Sequence, residues 1–395
     1  MADELEMIPF NRPELAGKEL EYIADAIRRG HASGDGTYTQ KCSALLENVL
    51  QVRKILLTTS CTDALEMSSL LLEIGDGDEV IVPSFTFVST VNAFVLRGAR
   101  PVFVDIRPDT LNMDESQVEE LVTARTKAIV PVHYGGIGCE LDAIGEIAAR
   151  RGVAIVEDNA HGLFAKYKDR FLGTFGSLAT LSFHETKNFT CGEGGALIVN
   201  DSAFIDRAEV IREKGTNRSR FFRGQEDKYT WVDLGSSFLP SDILAAFLYA
   251  QLEARHEIQQ KRRRAWDFYF EALEGLAQNY EIKLPFVPTH TEQSHHMFHI
   301  LVRRPEERDE VITYLRSRGI QSVFHYLPLH LSAMGRRLDT RANICRVTEM
   351  ASSRLIRLPF FNGITEKQQW RVVGALEDFY RNRAYKLKKP RGSGV

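Results

Sequence analysis

Short apolar runs punctuate the first half of the chain at nearly even spacing. They are Lys54–Thr58, Glu79–Pro83, Pro101–Asp105, Lys127–Val132 and Val153–Glu157. Each is rich in Val, Ile or Leu and apolar on both faces, which is how a strand buried in a parallel sheet reads. Between most of them lie stretches with helical spacing: Thr62–Glu73, Thr86–Arg97 and Leu141–Arg151, the last two stopped near Gly98 and Gly152. This alternation predicts βαβ units with right-handed crossovers.

The pattern changes after residue 170. Ser177–Phe183 and Gly195–Val199 read as two strands joined by a short glycine-rich loop. A long helix is predicted from Ser241 through Arg264. It is apolar at Ile243, Leu244, Ala246, Phe247, Ala250 and Leu252, then turns polar, as a connector would. Beyond it the pattern predicts strands around Met297–Val302 and Ser322–Tyr326, helices at Arg308–Arg318 and Glu366–Tyr380, and a flexible basic tail, Lys386–Val395. The predicted division is a large α/β domain over 1–245 and a smaller α+β domain over 246–395.

Composition narrows the class. A chain of 395 residues, 44% hydrophobic and 26% charged, is an ordinary globular protein that can bury a core without disulfides or metal. Fifty Lys and Arg against 53 Asp and Glu give a net charge of −3, which argues against nucleic acid as a partner. Five scattered cysteines with no C-x-x-C pair suggest a reducing cytoplasm. The acidic start lacks a signal-peptide core, and no apolar run is long enough for a membrane span, so no membrane partner is expected.

Several chemistries lack their motif. There is no G-x-G-x-x-G after the first strand, no phosphate-loop signature, no H-E-x-x-H and no G-x-S-x-G. In His295-His-Met-Phe-His299, a strand would put His295 and His299 on one face, but no third ligand has a partner spacing, so no metal is expected. The run Lys261–Arg264 reads as a solvated helix face.

In an open parallel sheet, ligands bind beyond the carboxyl ends of the strands. After the first strand, Thr59-Ser-Cys-Thr-Asp-Ala64 opens a helix; it serves either as an N-cap or as an anion cradle. After the second, Pro83-Ser-Phe-Thr-Phe87 offers two aromatics, for the core or for stacking on a flat ligand. After the fifth, Glu157-Asp-Asn-Ala-His161 offers an acid suited to a ring nitrogen or to a turn. Leu181-Ser-Phe-His-Glu-Thr-Lys187 then places a lysine at a strand end, either an exposed turn residue or an amine able to form a Schiff base. An anion cradle, an aromatic, an acid and a lysine are the parts a pyridoxal phosphate (PLP) site needs.

The chain resembles the DegT/DnrJ/StrS nucleotide-sugar aminotransferases, of PLP fold type I. The likeness covers Ile8-Pro-Phe-Asn-Arg-Pro13 to about Tyr380. It is carried by Ser33-Gly-Asp-Gly36, Pro83–Phe87, Glu157–His161, Ser182–Lys187 and His325-Tyr-Leu-Pro-Leu-His330. The resemblance implies a mostly parallel seven-stranded sheet between helices. Lys187 would hold PLP as a Schiff base, and Asp158 would bond its ring nitrogen. His161 and Phe87 would flank the ring. The Thr62 and Asp63 amides and the Ser182 hydroxyl would take the phosphate. Ser237, in Gly235-Ser-Ser-Phe238, stands where many relatives carry an Asn that reaches the neighbouring subunit's phosphate. Substrate contacts would come from Arg218, Tyr229, His325 and His330.

Ile211–Ser219 and Phe222–Trp231 resemble the subgroup that aminates C4 of a dTDP-keto-sugar. The implied reaction passes the amino group of L-glutamate, through pyridoxamine phosphate (PMP), to dTDP-4-keto-6-deoxy-D-glucose in a homodimer. The product would be dTDP-4-amino-4,6-dideoxy-D-galactose. Amination at C3, or at C4 with the opposite stereochemistry, is the alternative. A regulatory protein on the same fold would keep the sheet without needing Lys187, Asp158 and Ser182 together.

Overall fold

The computed structural model describes residues 6–338 and 344–388. Twelve strands are present among them: β1 Lys54–Thr58, β2 Glu79–Pro83, β3 Arg100–Val104, β4 Thr126–Ile129, β5 Ala154–Asp158, β6 Lys166–Tyr167, β7 Arg170–Phe171, β8 Leu178–Ser182, β9 Gly195–Val199, β10 Thr291–Glu292, β11 His299–Leu301 and β12 Leu355–Arg357. Seven form one sheet in the order β1-β9-β8-β5-β4-β2-β3. Only β9 runs antiparallel to its neighbours, so the expectation of a mostly parallel seven-stranded sheet holds. The five apolar runs are its β1 to β5, displaced by at most a few residues.

Helices cover both faces of the sheet, because each strand is apolar on both sides. Cys61–Leu71 packs with β1, β8 and β9 in one layer, while Leu141–Arg151 packs beneath β4 and β5 in the other. The N-terminal helices Glu19–Arg28 and Thr37–Leu50 pack on Asp242–Glu253. Asp242 is buried and caps the second of them from a distance, accepting from the amides of Tyr38 and Thr39 at 3.2 and 2.7 Å.

The connector differs from its prediction. It is two helices, Asp242–Glu253 and Arg255–Tyr280, broken at Ala254. Ala246, Leu248 and Leu252 pack in the same core as Leu57 and Leu181. Ile258, beyond the break, still packs in that core, and Ala265 is the first residue of the second helix in the smaller core. That second core gathers Trp266, Tyr269, Phe298, Val311, Ile356, Val372 and Leu376, and recruits Ile8 from the N-terminus.

In the smaller core, β11 and β12 pair antiparallel. The strand expected near Ser322–Tyr326 is reduced to one bridge, Val323 to Arg357, because Tyr326 turns the backbone to φ 43° just before Pro328. The stretch before β11 is irregular: His295 has φ 53°, and its carbonyl accepts from Arg262 Nε at 2.8 Å. His295 and His299 therefore do not share one strand face. The last helix runs Glu366–Lys388, beyond the expected Tyr380. The rest of the basic tail lies outside the described residues.

Glu157 locks the centre of the sheet. It is fully buried and accepts from His133 Nε2 at 3.0 Å and from the amides of Gly173, Phe175 and Gly176 at 2.7–2.8 Å. Burial alone would raise its pKa, but the His133 contact and the amides outweigh it and hold the carboxylate below its ordinary range. A depressed carboxylate contributes stability above its unfolded pKa and loses it as pH falls. Glu157→Gln places an amide donor among three N–H donors. It is expected to cost about 3 kcal/mol in denaturant unfolding and to remove part of the acid-side loss of stability. An unchanged unfolding midpoint would remove Glu157 from this role.

Candidate active site

Asp158 is the last residue of β5 and points to the sheet face opposite Glu157. It is buried. Thr90 Oγ1 donates to Oδ2 at 2.7 Å, and the Ala160 amide to Oδ1 at 3.2 Å. Thr90 in turn meets Thr86 Oγ1 at 2.8 Å, so the carboxylate is oriented by the helix Val88–Val95.

Lys187 stands five residues past the end of β8, in a turn whose amide bonds back to His184 at 2.9 Å. Burial lowers its pKa to about 8, against the pull of Cys61 and Asp158; Arg357 adds a like charge. The sequence left open an exposed turn lysine; the structure gives a half-buried amine of weakened basicity within the field of Asp158.

The start of the helix Cys61–Leu71 shows how the cradle and the cap share one motif. Ser60 Oγ caps it, accepting from the Asp63 amide at 3.0 Å. That spends one of the two amides expected for phosphate. The Cys61 and Thr62 amides are first-turn donors with no intrahelical acceptor. Thr62 Oγ1 donates to Ser89 Oγ at 2.8 Å, and Asp63 accepts from Thr59 Oγ1. Ser182 pairs with Gly195, whose Cβ position would collide with Ser60 and with the Cys61 nitrogen. Ser182 is thus carried to this helix start by a contact that only glycine allows.

The two aromatics after β2 divide. Phe85 is core, whereas Phe87 is 58% exposed. Phe87 lies 6.5 Å from Tyr326, centroid to centroid. On the other side, His161 stacks on His296 at 4.1 Å and 16°. His296 is fixed by Asn188 Oδ1 at 2.9 Å, next to Lys187. His161 Nδ1 is buried without a partner. Burial and the Lys187 charge hold both rings well below the ordinary histidine pKa, so both are neutral.

His325 completes the cluster. Its Nδ1 lies 2.8 Å from Tyr134 Oη, and its ring stacks on Tyr326 at 3.7 Å. His330 does not join it. Ser84 Oγ and Glu349 Oε1 take its two ring nitrogens at 2.6 and 3.3 Å, so it ties the end of β2 to the helix Arg346–Arg354. Ser237 and Arg218 line a surface cavity of about 710 Å³ with Lys54, Arg212 and Lys214, and the carbonyl of Phe238, next to Ser237, accepts from the Thr59 amide at 2.8 Å. Tyr229 is half exposed against Phe221.

Sequence reasoning missed Thr90, Tyr134, Asn188, His296, Tyr326 and Arg357. Thr90, Tyr134 and Asn188 carry no motif and are assembled by the fold, whereas His296 and Tyr326 lie inside runs singled out for other residues. Arg357 had a usable signal: an arginine inside the apolar run Leu355–Phe360.

The residues present fit PLP. An amine of lowered basicity, a buried carboxylate at a strand end, open first-turn amides beside Ser182 and an orphaned buried nitrogen at His161 surround one locus. No group of His, Cys, Asp or Glu suited to a metal occurs among the described residues, and none of their helices is long and apolar enough to cross a membrane.

Comparison with known proteins agrees. A sugar aminotransferase of Streptococcus pneumoniae, solved in PLP and PMP forms, superposes with a TM-score of 0.89 at 27% identity, over 97% of this chain and 100% of that one, in its PMP form. DesV of S. venezuelae gives a TM-score of 0.85 at 30% identity over 95% and 98% of the two chains. TlmJ of Streptoalloteichus hindustanus, an aminotransferase, gives 0.87 at 29% over 95% and 100%. The DegT/DnrJ/EryC1/StrS aminotransferase family model matches residues 13–377. The chain belongs to this family and is a PLP-dependent sugar aminotransferase.

Proposed function

We propose that the chain transfers the amino group of L-glutamate to the 4-keto group of dTDP-4-keto-6-deoxy-D-glucose, giving dTDP-4-amino-4,6-dideoxy-D-galactose. The observation that carries the chemistry is the meeting of Lys187, at a pKa of about 8, with the oriented carboxylate of Asp158. The choice of sugar rests on the likeness of Ile211–Ser219 and Phe222–Trp231 to the C4-aminating subgroup.

When bound, PLP supplies the electron sink and carries the amino group between donor and acceptor. Asp158, held by Thr90 and the Ala160 amide, keeps a proton on the ring nitrogen. Lys187 Nζ anchors the group and then moves a proton between the two reacting carbons, a task suited to an amine that is part neutral near pH 8. Neutral His161, backed by His296, and the exposed Phe87 are the flat groups that would flank the ring. Ser182 and the first-turn amides hold the phosphate. His325, oriented by Tyr134, contacts the sugar. His330 acts by holding the small domain in place. A second copy of the chain would bring Ser237, Arg218 and Tyr229 to the neighbouring site.

Three outcomes test this reading. In the PLP-free chain, labelling of Lys187 by an amine-selective reagent should rise through a midpoint near pH 8, since the lowered pKa frees the amine early; a midpoint near 10.5 would contradict it. Asp158→Asn should cut turnover by roughly a hundredfold or more with the fold intact, and near-normal turnover would remove Asp158 from its role. NMR of the product from L-glutamate and the 4-keto sugar should show an axial amine at C4. An amine at C3, or an equatorial one at C4, would replace this sugar assignment while leaving the transaminase in place.

A further inference from the structure

Another cavity, of about 560 Å³, is lined by none of the residues that would meet the cofactor. That is within the range of about 300–1,000 Å³ usual for small-molecule sites. Part of its lining is apolar, with Val49, Val287 and the half-buried rings of Phe164 and Phe171. Another part is the start of the helix Arg255–Tyr280, and the segment 291–296 closes it.

Three carboxamides meet at this cavity, those of Gln259, Gln260 and Gln293. None of them bonds to a described residue, and Gln259 Oε1 and Thr291 Oγ1 are withdrawn from water without a partner. Two of the cations here are answered: Lys166 by Glu292 at 3.1 Å and Arg263 by Asp267 at 3.6 Å. The guanidinium of Arg255 has only the Leu252 carbonyl, at 3.3 Å.

The segment 291–296 is a partition one strand thick. Thr291, Gln293 and His295 line the cavity. Ser294 and His296 reach the other way. Ser294 Oγ donates to the His161 carbonyl at 2.5 Å, and its own carbonyl accepts from Asn188 Nδ2 at 2.8 Å. His296 stacks on His161. The φ of 53° at His295 makes this reversal, and Arg262 holds the His295 carbonyl from the same helix that carries Arg255 and Gln259. Whatever occupies the cavity therefore touches the neighbours of residues that position His161.

We propose that this cavity binds an adenine nucleotide, and that the partition carries its occupancy to His161. A carboxamide sets a donor beside an acceptor, the pattern that complements the N6 and N7 edge of adenine. The phenylalanine rings suit the face of a base. A guanidinium without a carboxylate partner suits the phosphate. A simple anion would leave the apolar lining and the carboxamides unused.

The test is calorimetry of AMP with the PLP-loaded chain, in the presence of saturating dTDP to fill the substrate site. One equivalent should bind per chain, at least tenfold more tightly than dTMP. Gln259→Leu and Arg255→Gln should each weaken AMP binding by roughly tenfold or more. If the Leu variant fails to fold, Arg255→Gln, on an exposed helix start, decides. Saturating AMP should also change the visible absorbance of the bound PLP in the wild type, with the midpoint that calorimetry gives. No binding of AMP by the wild type at millimolar concentration would overturn the site. So would wild-type affinity in both variants, or tighter binding of dTMP. Loss of AMP binding when dTDP is added would place the probe in the substrate site instead. An unchanged visible band at saturating AMP would overturn the link to His161.

Discussion

The burial of Glu157 is the constraint on which the site depends. A carboxylate at the middle of a sheet is tolerated only when its oxygens are answered. Here the answers come from three amides of the segment 173–176 and from His133. These contacts fasten β5 to the entry of β8 and to the exit of β4. Strand alternation then decides the rest. The next residue, Asp158, must face the opposite side, where the helix Val88–Val95 and the Lys187 turn converge.

The smaller core is tied to the same sheet edge by two further polar contacts. Asp105, just past β3, accepts from the amides of Val347 and Thr348 at 2.9 and 2.8 Å and so caps a helix that has no cap of its own. Ser84, just past β2, reaches Glu349 on that helix through His330. The helix leads directly into β12 and Arg357. From the other side, Ile8 pairs with Ile320, and Asn11 Nδ2 donates to the Glu185 carbonyl at 3.2 Å, two residues before Lys187. The carboxyl ends of β2, β3 and β5 thus locate side chains from both cores about one locus.

Much of this was legible in the sequence. The five β1–β5 runs and the placing of Lys187 and Asp158 at strand ends are local signals, whereas Ser182 was marked only by the family resemblance. What stayed hidden depends on partners distant in sequence. His330 sits in a telling motif, yet its role follows from Ser84, 246 residues away. The break at Ala254 has no Gly or Pro to announce it, and the irregular backbone at His295 depends on Arg262. Tyr167 and Arg170 form a hairpin without an Asn-Gly turn, with Lys168 at φ 54°.

The electrostatics of the locus follow from one asymmetry. Three histidines, His161, His296 and His325, lie within the field of the lysine, and His299 packs on Tyr134 behind them; burial keeps all four neutral, and His299 falls to about 3. Had they carried charge, they would have pushed Lys187 far lower and repelled Arg357. As neutral rings they supply flat, polarisable walls and single nitrogens for hydrogen bonding, and leave the field to three ionisable groups: Asp158, Lys187 and Arg357. Two of those can be cations and only one is an anion, so the site favours an incoming negative charge. Both a phosphate-bearing cofactor and a carboxylate-bearing donor bring one. The protein needs no excess of basic residues to attract them, which is why a chain with a net charge of −3 can handle anionic substrates at its centre.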